Sequence, residues 1–342
     1  MKFGRYIGLG LLALLAVYFA IASYLVLTRT KDPFAERPIS ESAWRALQAY
    51  GGTSFSQDVA YANRTIRARD GVDLSLRVYG PPSETRIVFL HGINSNASQL
   101  NRAAGLLRAA TGAQVITPDA RGHGASGGAP YHVEHIGQYE EDAADILAVL
   151  AAEAPDGRLV LAGHSMGGGV ALRYGLIEEA PEVDAYMLFA PNFGDGPTRR
   201  APPEDDATRQ DEDAGAGWIV FDSQAFIGVL MYNMLGVTAA NATPVLYFND
   251  PSGGAEYSYA AIMSAQPTVP RHAPKALAAI TAPLLVLIGS QDEVFNASAY
   301  PDFVTAHAVG DAEVEIINGL SHNHLINTGA VMERAADWLA AH

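Results

Sequence analysis

Residues 159 to 168 read Leu159-Val160-Leu161-Ala162-Gly163-His164-Ser165-Met166-Gly167-Gly168, and few folds can accommodate them. An apolar run of strand length ends in Gly-x-Ser-x-Gly, and a stretch able to form a helix follows. At Ser165 the chain must turn so sharply that the backbones on its two sides nearly touch. Gly163 and Gly167, which lack side chains, are therefore needed two places before and after the serine, with His164 between. An apolar strand that feeds directly into a helix belongs to a parallel sheet, because parallel neighbours need a helical crossover. The corner leaves one hydroxyl perched at the sheet edge.

The rest of the chain repeats that alternation. Short apolar runs at 87–90, 115–117, 186–189, 284–288 and 314–317 predict further strands buried on both faces. Residues 72–78 alternate apolar and polar, as a half-buried strand near an edge does. Apolar spacing of three and four predicts helices over 97–110, 138–153, 167–180 and 329–341. The expected fold class is α/β, a mostly parallel central sheet flanked by helices. Reactive groups of such sheets collect beyond the carboxyl ends of the strands.

The first residues stand apart from that core. Residues 7–27 contain neither charge nor proline, and a helix of that length spans about 30 Å, the hydrocarbon thickness of a bilayer. Residues 1–31 are expected to form a single-pass N-terminal membrane anchor. The alternative is a cleaved secretory signal, with Lys2 and Arg5 as its basic end and Ala20-Ile21-Ala22 as its cleavage site. Lys2 and Arg5 nearly balance Arg29 and Lys31, and the free amino group tips the count toward a cytoplasmic N-terminus, with the catalytic part on the extracytoplasmic side. A juxtamembrane linker is expected over 32–58, with a short helix at 42–50. The core then covers 59–194 and 276–342, and an inserted cap or lid covers 195–275. Within the insert, residues 197–217 are charged and solvated, whereas residues 218–235 are too apolar to face water alone, with Trp218, Phe221, Phe226 and Leu230 among them.

Composition narrows the partners. Twenty-two Lys and Arg against 37 Asp and Glu leave a net charge of −15 and no basic patch, which argues against nucleic acid. With no cysteine, the chain has neither disulfides, thiolate metal sites nor cysteine nucleophiles. His132-x-x-His135 is the only metal-like spacing, and it lacks matching carboxylates; neither metal nor cofactor is expected.

A serine hydroxyl attacks a carbonyl only when a histidine takes its proton and a carboxylate orients that histidine. The order Ser, acid, His along the chain points to Ser165, Asp292 and His322 as a catalytic triad. Asp292 follows the apolar run 284–288, with Asp195 and then Glu293 as fallback acids. His322 follows the run 314–317 in Gly319-Leu320-Ser321-His322, with His324 as its competitor. Acyl transfer also needs donors for a developing oxyanion, and the backbone N–H groups of Met166 and of Ile93, in His91-Gly92-Ile93-Asn94, are placed to serve.

On these residues the chain resembles the α/β-hydrolase superfamily, and within it the monoacylglycerol lipase, lysophospholipase and serine aminopeptidase branch. Four blocks carry the likeness over residues 59–342: His91-Gly92, the turn from Pro118 to Gly127, the elbow Gly163 to Gly168, and the pair Asp292 with His322. The resemblance implies that residues 119–127 form a structural loop beside the active edge. A serine at the elbow disfavours the dehalogenases and epoxide hydrolases of this fold, which use a carboxylate. Hydrolysis of a small lipid-like acyl ester, a monoacylglycerol or lysophospholipid, is therefore expected. The alternatives are an aminopeptidase or amidase with the same triad, for which Glu204, Asp205 or Asp222 would have to hold a substrate amine, and a non-catalytic membrane module.

Overall fold

A computed structural model describes residues 2–29, 33–34, 59–194, 196–200, 219–249, 254–267 and 272–342. Asp195, Glu204, Asp205, Trp218, the expected helix at 42–50 and most of the charged stretch lie outside these residues.

The chain opens with α1 (Lys2–Leu27). It continues through β1 (Ala62–Arg67), β2 (Asp73–Tyr79), β3 (Thr85–Leu90), α2 (Asn101–Thr111), β4 (Gln114–Pro118), α3 (Gln138–Glu153), β5 (Arg158–His164), α4 (Met166–Tyr174) and β6 (Ala185–Phe189). An insert follows, with β7 (Ile219–Phe221), α5 (Ser223–Met234), β8 (Pro244–Phe248), β9 (Ala255–Ser258), α6 (Tyr259–Ser264) and α7 (His272–Ala279). The chain then returns to the main sheet with β10 (Leu284–Gly289), α8 (Tyr300–His307), β11 (Ala312–Ile317), α9 (His322–Ile326) and α10 (Gly329–Ala341).

Eight strands form one sheet in the order β1-β2-β4-β3-β5-β6-β10-β11, and the three strands of the insert form a second. From β4 to β11 every neighbour is parallel, while β1 and β2 are antiparallel additions at one edge. The fold is that of the α/β-hydrolases. Strands β5, β6 and β10 are buried almost end to end, as continuous apolar runs should be when helices cover both faces.

Two expectations need correction. Residues 314–317, read as a doubly buried strand, lie in β11 at the sheet edge, where Ile316 is 37% exposed. Among the described residues only β10 pairs with this strand, and Glu313 and Glu315 turn outward to Arg334 of α10. The helix expected over 167–180 stops at Tyr174, and its capping residue Gly175 packs against Ile280, where a Cβ would meet the isoleucine side chain at 2.8 Å.

The apolar part of the insert divides between β7 and α5, and α5 packs between β8 and α1. Ala22 is fully buried there, and Gly228 lets the two helices approach so closely that a Cβ on it would lie 2.9 Å from Leu25 Cβ. The Tyr18 hydroxyl donates to Met231 O at 2.9 Å, and Ser23 and Tyr232 share a hydroxyl bond at 2.5 Å. Away from this contact α1 exposes Leu11, Leu12 and Leu14. Its segment Gly8–Leu27, with mean hydropathy 2.3, is long and apolar enough to cross a bilayer.

Candidate active site

Because β3, β5, β10 and β11 run parallel, the loops after them emerge at the same sheet edge. That single fact of topology collects His91–Asn94, Ser165, Asp292 and His322, which lie up to 231 positions apart in the chain.

Ser165 occupies the corner between β5 and α4 with φ 54° and ψ −115°, a backbone state that costs a non-glycine residue energy and persists only where its surroundings impose it. The surroundings do so. Ser165 N–H donates to Phe189 O at 3.0 Å, and Ser165 O accepts from Gly169 N and Asn192 N at 3.1 and 3.0 Å. A Cβ on Gly163 would overlap the Gly167 carbonyl, and one on Gly167 would overlap Leu90 O. His164 is buried, and its Nε2 lies 3.2 Å from His322 O, so it donates there. Burial, reinforced by the neighbouring His322, holds the His164 pKa well below 6.5.

Asp292 and His322 are both buried, and His322 Nδ1 meets Asp292 Oδ2 at 2.7 Å. The other carboxylate oxygen, Oδ1, accepts from Val294 N and Phe295 N, each at 2.8 Å, which fixes the acid's rotamer. The Arg200 side chain donates to Asp292 O at 2.9 Å. The imidazole is bracketed by rings, with His164 at 4.5 Å and Phe295 at 5.3 Å between centroids.

Glu293, weighed as a fallback acid, takes a different part: its Oε2 accepts His322 N–H at 2.9 Å, tying the two loops together. His324 is exposed and its Nδ1 bonds Ser321 Oγ at 2.7 Å, away from Asp292. Asp222 caps α5, accepting from Ala225 N at 2.8 Å. His132 turns to Ser258 Oγ and His135 to Glu141, so the two do not converge, and the described residues include no cluster able to hold a metal ion.

The two backbone donors expected to meet an oxyanion belong to segments that adjoin the serine. Met166 opens α4, where the first N–H groups of a helix have no partner within it. Across from it a Cβ on Gly92 would touch Ser165 Cβ at 3.4 Å, which sets the loop containing Ile93 against the nucleophile position. The turn after β4 is structural, as expected: Asp119 accepts from Ala97 N and Ala125 N, and Arg121 pairs with Asp70 and with Asp142 at 2.5 Å. One residue of this neighbourhood carries no sequence signal, Tyr257 in β9, and Glu293 is singled out in the sequence for a different role. Tyr257 lies in another sheet, and nothing in its local pattern points to the site.

A family model described as serine aminopeptidase, S33, matches residues 81–328. The monoacylglycerol lipase of Mycolicibacterium smegmatis is 27% identical over 289 residues, 80% of this chain and 94% of that protein. Among solved structures, a soluble variant of monoglyceride lipase from Saccharomyces cerevisiae superposes with a TM-score of 0.58 at 16% identity, covering 83% of this chain and 95% of that one. A bacterial membrane phospholipase A superposes with a TM-score of 0.54 at 20% identity over 100% of this chain and 97% of its own. At such identities the structural likenesses speak for the fold.

Proposed function

The chain belongs to the serine aminopeptidase S33 family of α/β-hydrolases, and from that premise we propose that it is a serine hydrolase cleaving lipid-like acyl esters, monoacylglycerols or lysophospholipids, through an acyl-enzyme on Ser165. The observation that carries this is the buried 2.7 Å bond between Asp292 and His322 beside a strained corner that holds a serine. With Nδ1 engaged by the carboxylate, Nε2 is the ring nitrogen that takes the Ser165 proton as Oγ attacks the ester carbonyl. The tetrahedral oxyanion is met by the N–H groups of Ile93 and Met166. Collapse breaks the ester C–O bond, and His322 returns its proton to the leaving alcohol. Water, deprotonated by His322, then attacks the acyl-enzyme; the Ser165 Oγ–acyl bond breaks, His322 returns the proton to Oγ, and the fatty acid is released.

Three features favour an acyl-chain substrate: the apolar surface of the insert, where Phe221, Ile227 and Met234 are exposed, the contact of α5 with α1, and the lipase named among the relatives. In this proposal α1 is a membrane anchor and the catalytic part faces the extracytoplasmic side. An amine-anchoring carboxylate finds no support at Asp222, whose side chain caps α5.

Fluorophosphonate labelling of the wild type beside Ser165→Ala tests the nucleophile, and loss of labelling in the variant is the expected outcome. A series of nitrophenyl esters then tests the substrate class. Activity should rise from acetate toward longer acyl chains, and a maximum at acetate would remove the lipid-like substrate.

A further inference from the structure

Resting on the assignment of Ile93 N–H as an oxyanion donor, we propose that Tyr257, contributed by the insert, is a positioning residue that holds the oxyanion loop in its working geometry through a relay anchored on His123. The hydrogen-bond directions follow one from another. His123 Nδ1 lies 2.9 Å from Arg121 O, a carbonyl that can only accept, so Nδ1 carries the proton and Nε2 is an acceptor. The Tyr257 hydroxyl, 2.8 Å from that Nε2, therefore donates to it. Its oxygen in turn accepts the Asn94 N–H at 2.7 Å.

Asn94 needs such a hold, since its φ of 50° lies in the left-handed region. On the other side of Ile93, His91 Nε2 accepts from Ala120 N at 3.0 Å, so its Nδ1 carries the proton and donates to Gly92 O at 2.8 Å. In a trans peptide the C=O and the next N–H point in opposite directions, so pinning Gly92 O also aims the Ile93 N–H. The peptide before Ile93 is thus set by the core and the peptide after it by the insert. Burial lowers the pKa values of both histidines, that of His123 to about 3, and each stays neutral with its acceptor nitrogen bare. The ring of Tyr257 packs at 5.0 Å from Tyr131 and 5.7 Å from Phe248 between centroids, so the hydroxyl is delivered on a rigid arm.

The test uses the full chain in detergent, with a short nitrophenyl ester that does not depend on acyl-chain binding. Tyr257→Phe removes only the hydroxyl. A displaced donor costs less than a deleted one, so kcat should fall about 10-fold, against 10²–10³ for outright loss of an oxyanion donor, with KM unchanged and Tm lowered by a few degrees as the Asn94 N–H loses its acceptor. The affinity of an alkylboronic acid, whose adduct with the serine is tetrahedral, should weaken by the same factor as kcat/KM. His123→Phe, whose ring is somewhat larger, removes the acceptor and should also lower kcat, and the double variant should be no worse than the worse single one. Tyr259→Phe is the control, because the Tyr259 hydroxyl is buried without a hydrogen-bond partner among the described residues, and its kcat should not change.

A folded Tyr257→Phe with kcat and boronate affinity at the wild-type level overturns the proposal, as does a double variant whose loss is the product of the two singles. Should Tyr257→Phe fail to fold, His123→Phe decides in the same way. The parent assignment fails separately: there Ser165→Ala would still be labelled or still turn over ester.

Discussion

At Asp292 the two carboxylate oxygens have separate tasks, one held by the backbone of Val294 and Phe295 and the other aimed at His322. Asp292→Asn preserves the volume and one acceptor but favours the wrong imidazole tautomer, so kcat on a nitrophenyl ester should fall by about 10⁴-fold while the thermal midpoint stays close to wild type. A loss of only a few-fold would mean that another group orients the base. At Gly163 the constraint is steric instead of chemical. Gly163→Ala drives a methyl group into the Gly167 carbonyl, and the variant should lose about 3 kcal/mol or more in chemical denaturation, together with all labelling of Ser165.

Among the elements, α1 and α5 form a contact that apolar composition alone would not specify. Helices crossing this closely need small residues at the point of approach, here Ala22 and Gly228. The contact also makes α1 part of the support of the insert. Gly228→Leu should separate the two helices and leave turnover of a short ester less affected than turnover of a long-chain one, measured side by side.

For the whole molecule, acid stability is set in part by histidines that the fold keeps neutral. Burial, with His91 as neighbour, lowers His123 from 6.5 to about 3, and burial lowers His91 and His164 as well. In this range the unfolded chain binds more protons than the folded one, so stability is fully present above pH 6.5 and is lost as pH falls below it. Each such histidine contributes at most about 1.4 kcal/mol per pH unit, for His123 down to pH about 3. The thermal midpoint should therefore drop between pH 7.5 and pH 5, and the drop should be shallower in His123→Phe. A flat profile would show that these rings are hydrated or already charged in the folded state.

The triad candidates and the corner were legible in the sequence because their chemistry is local. Gly-x-Ser-x-Gly must turn sharply wherever it follows a buried strand, and a carboxylate or histidine just after an apolar run must emerge at the carboxyl edge of a parallel sheet. The edge position of β11 was not legible, since an apolar run looks alike whether one or two strands pair with it, and only the strand order decides that. His322 was preferred to His324 from its spacing, and the side-chain partners of each appear only once Asp292 is beside one of them. Most dependent on the fold are Tyr257 and Gly228. A hydroxyl that reaches a loop 163 residues earlier, and a glycine that matters because another helix lies on it, acquire their meaning from contacts between segments distant in sequence, which local pattern does not encode.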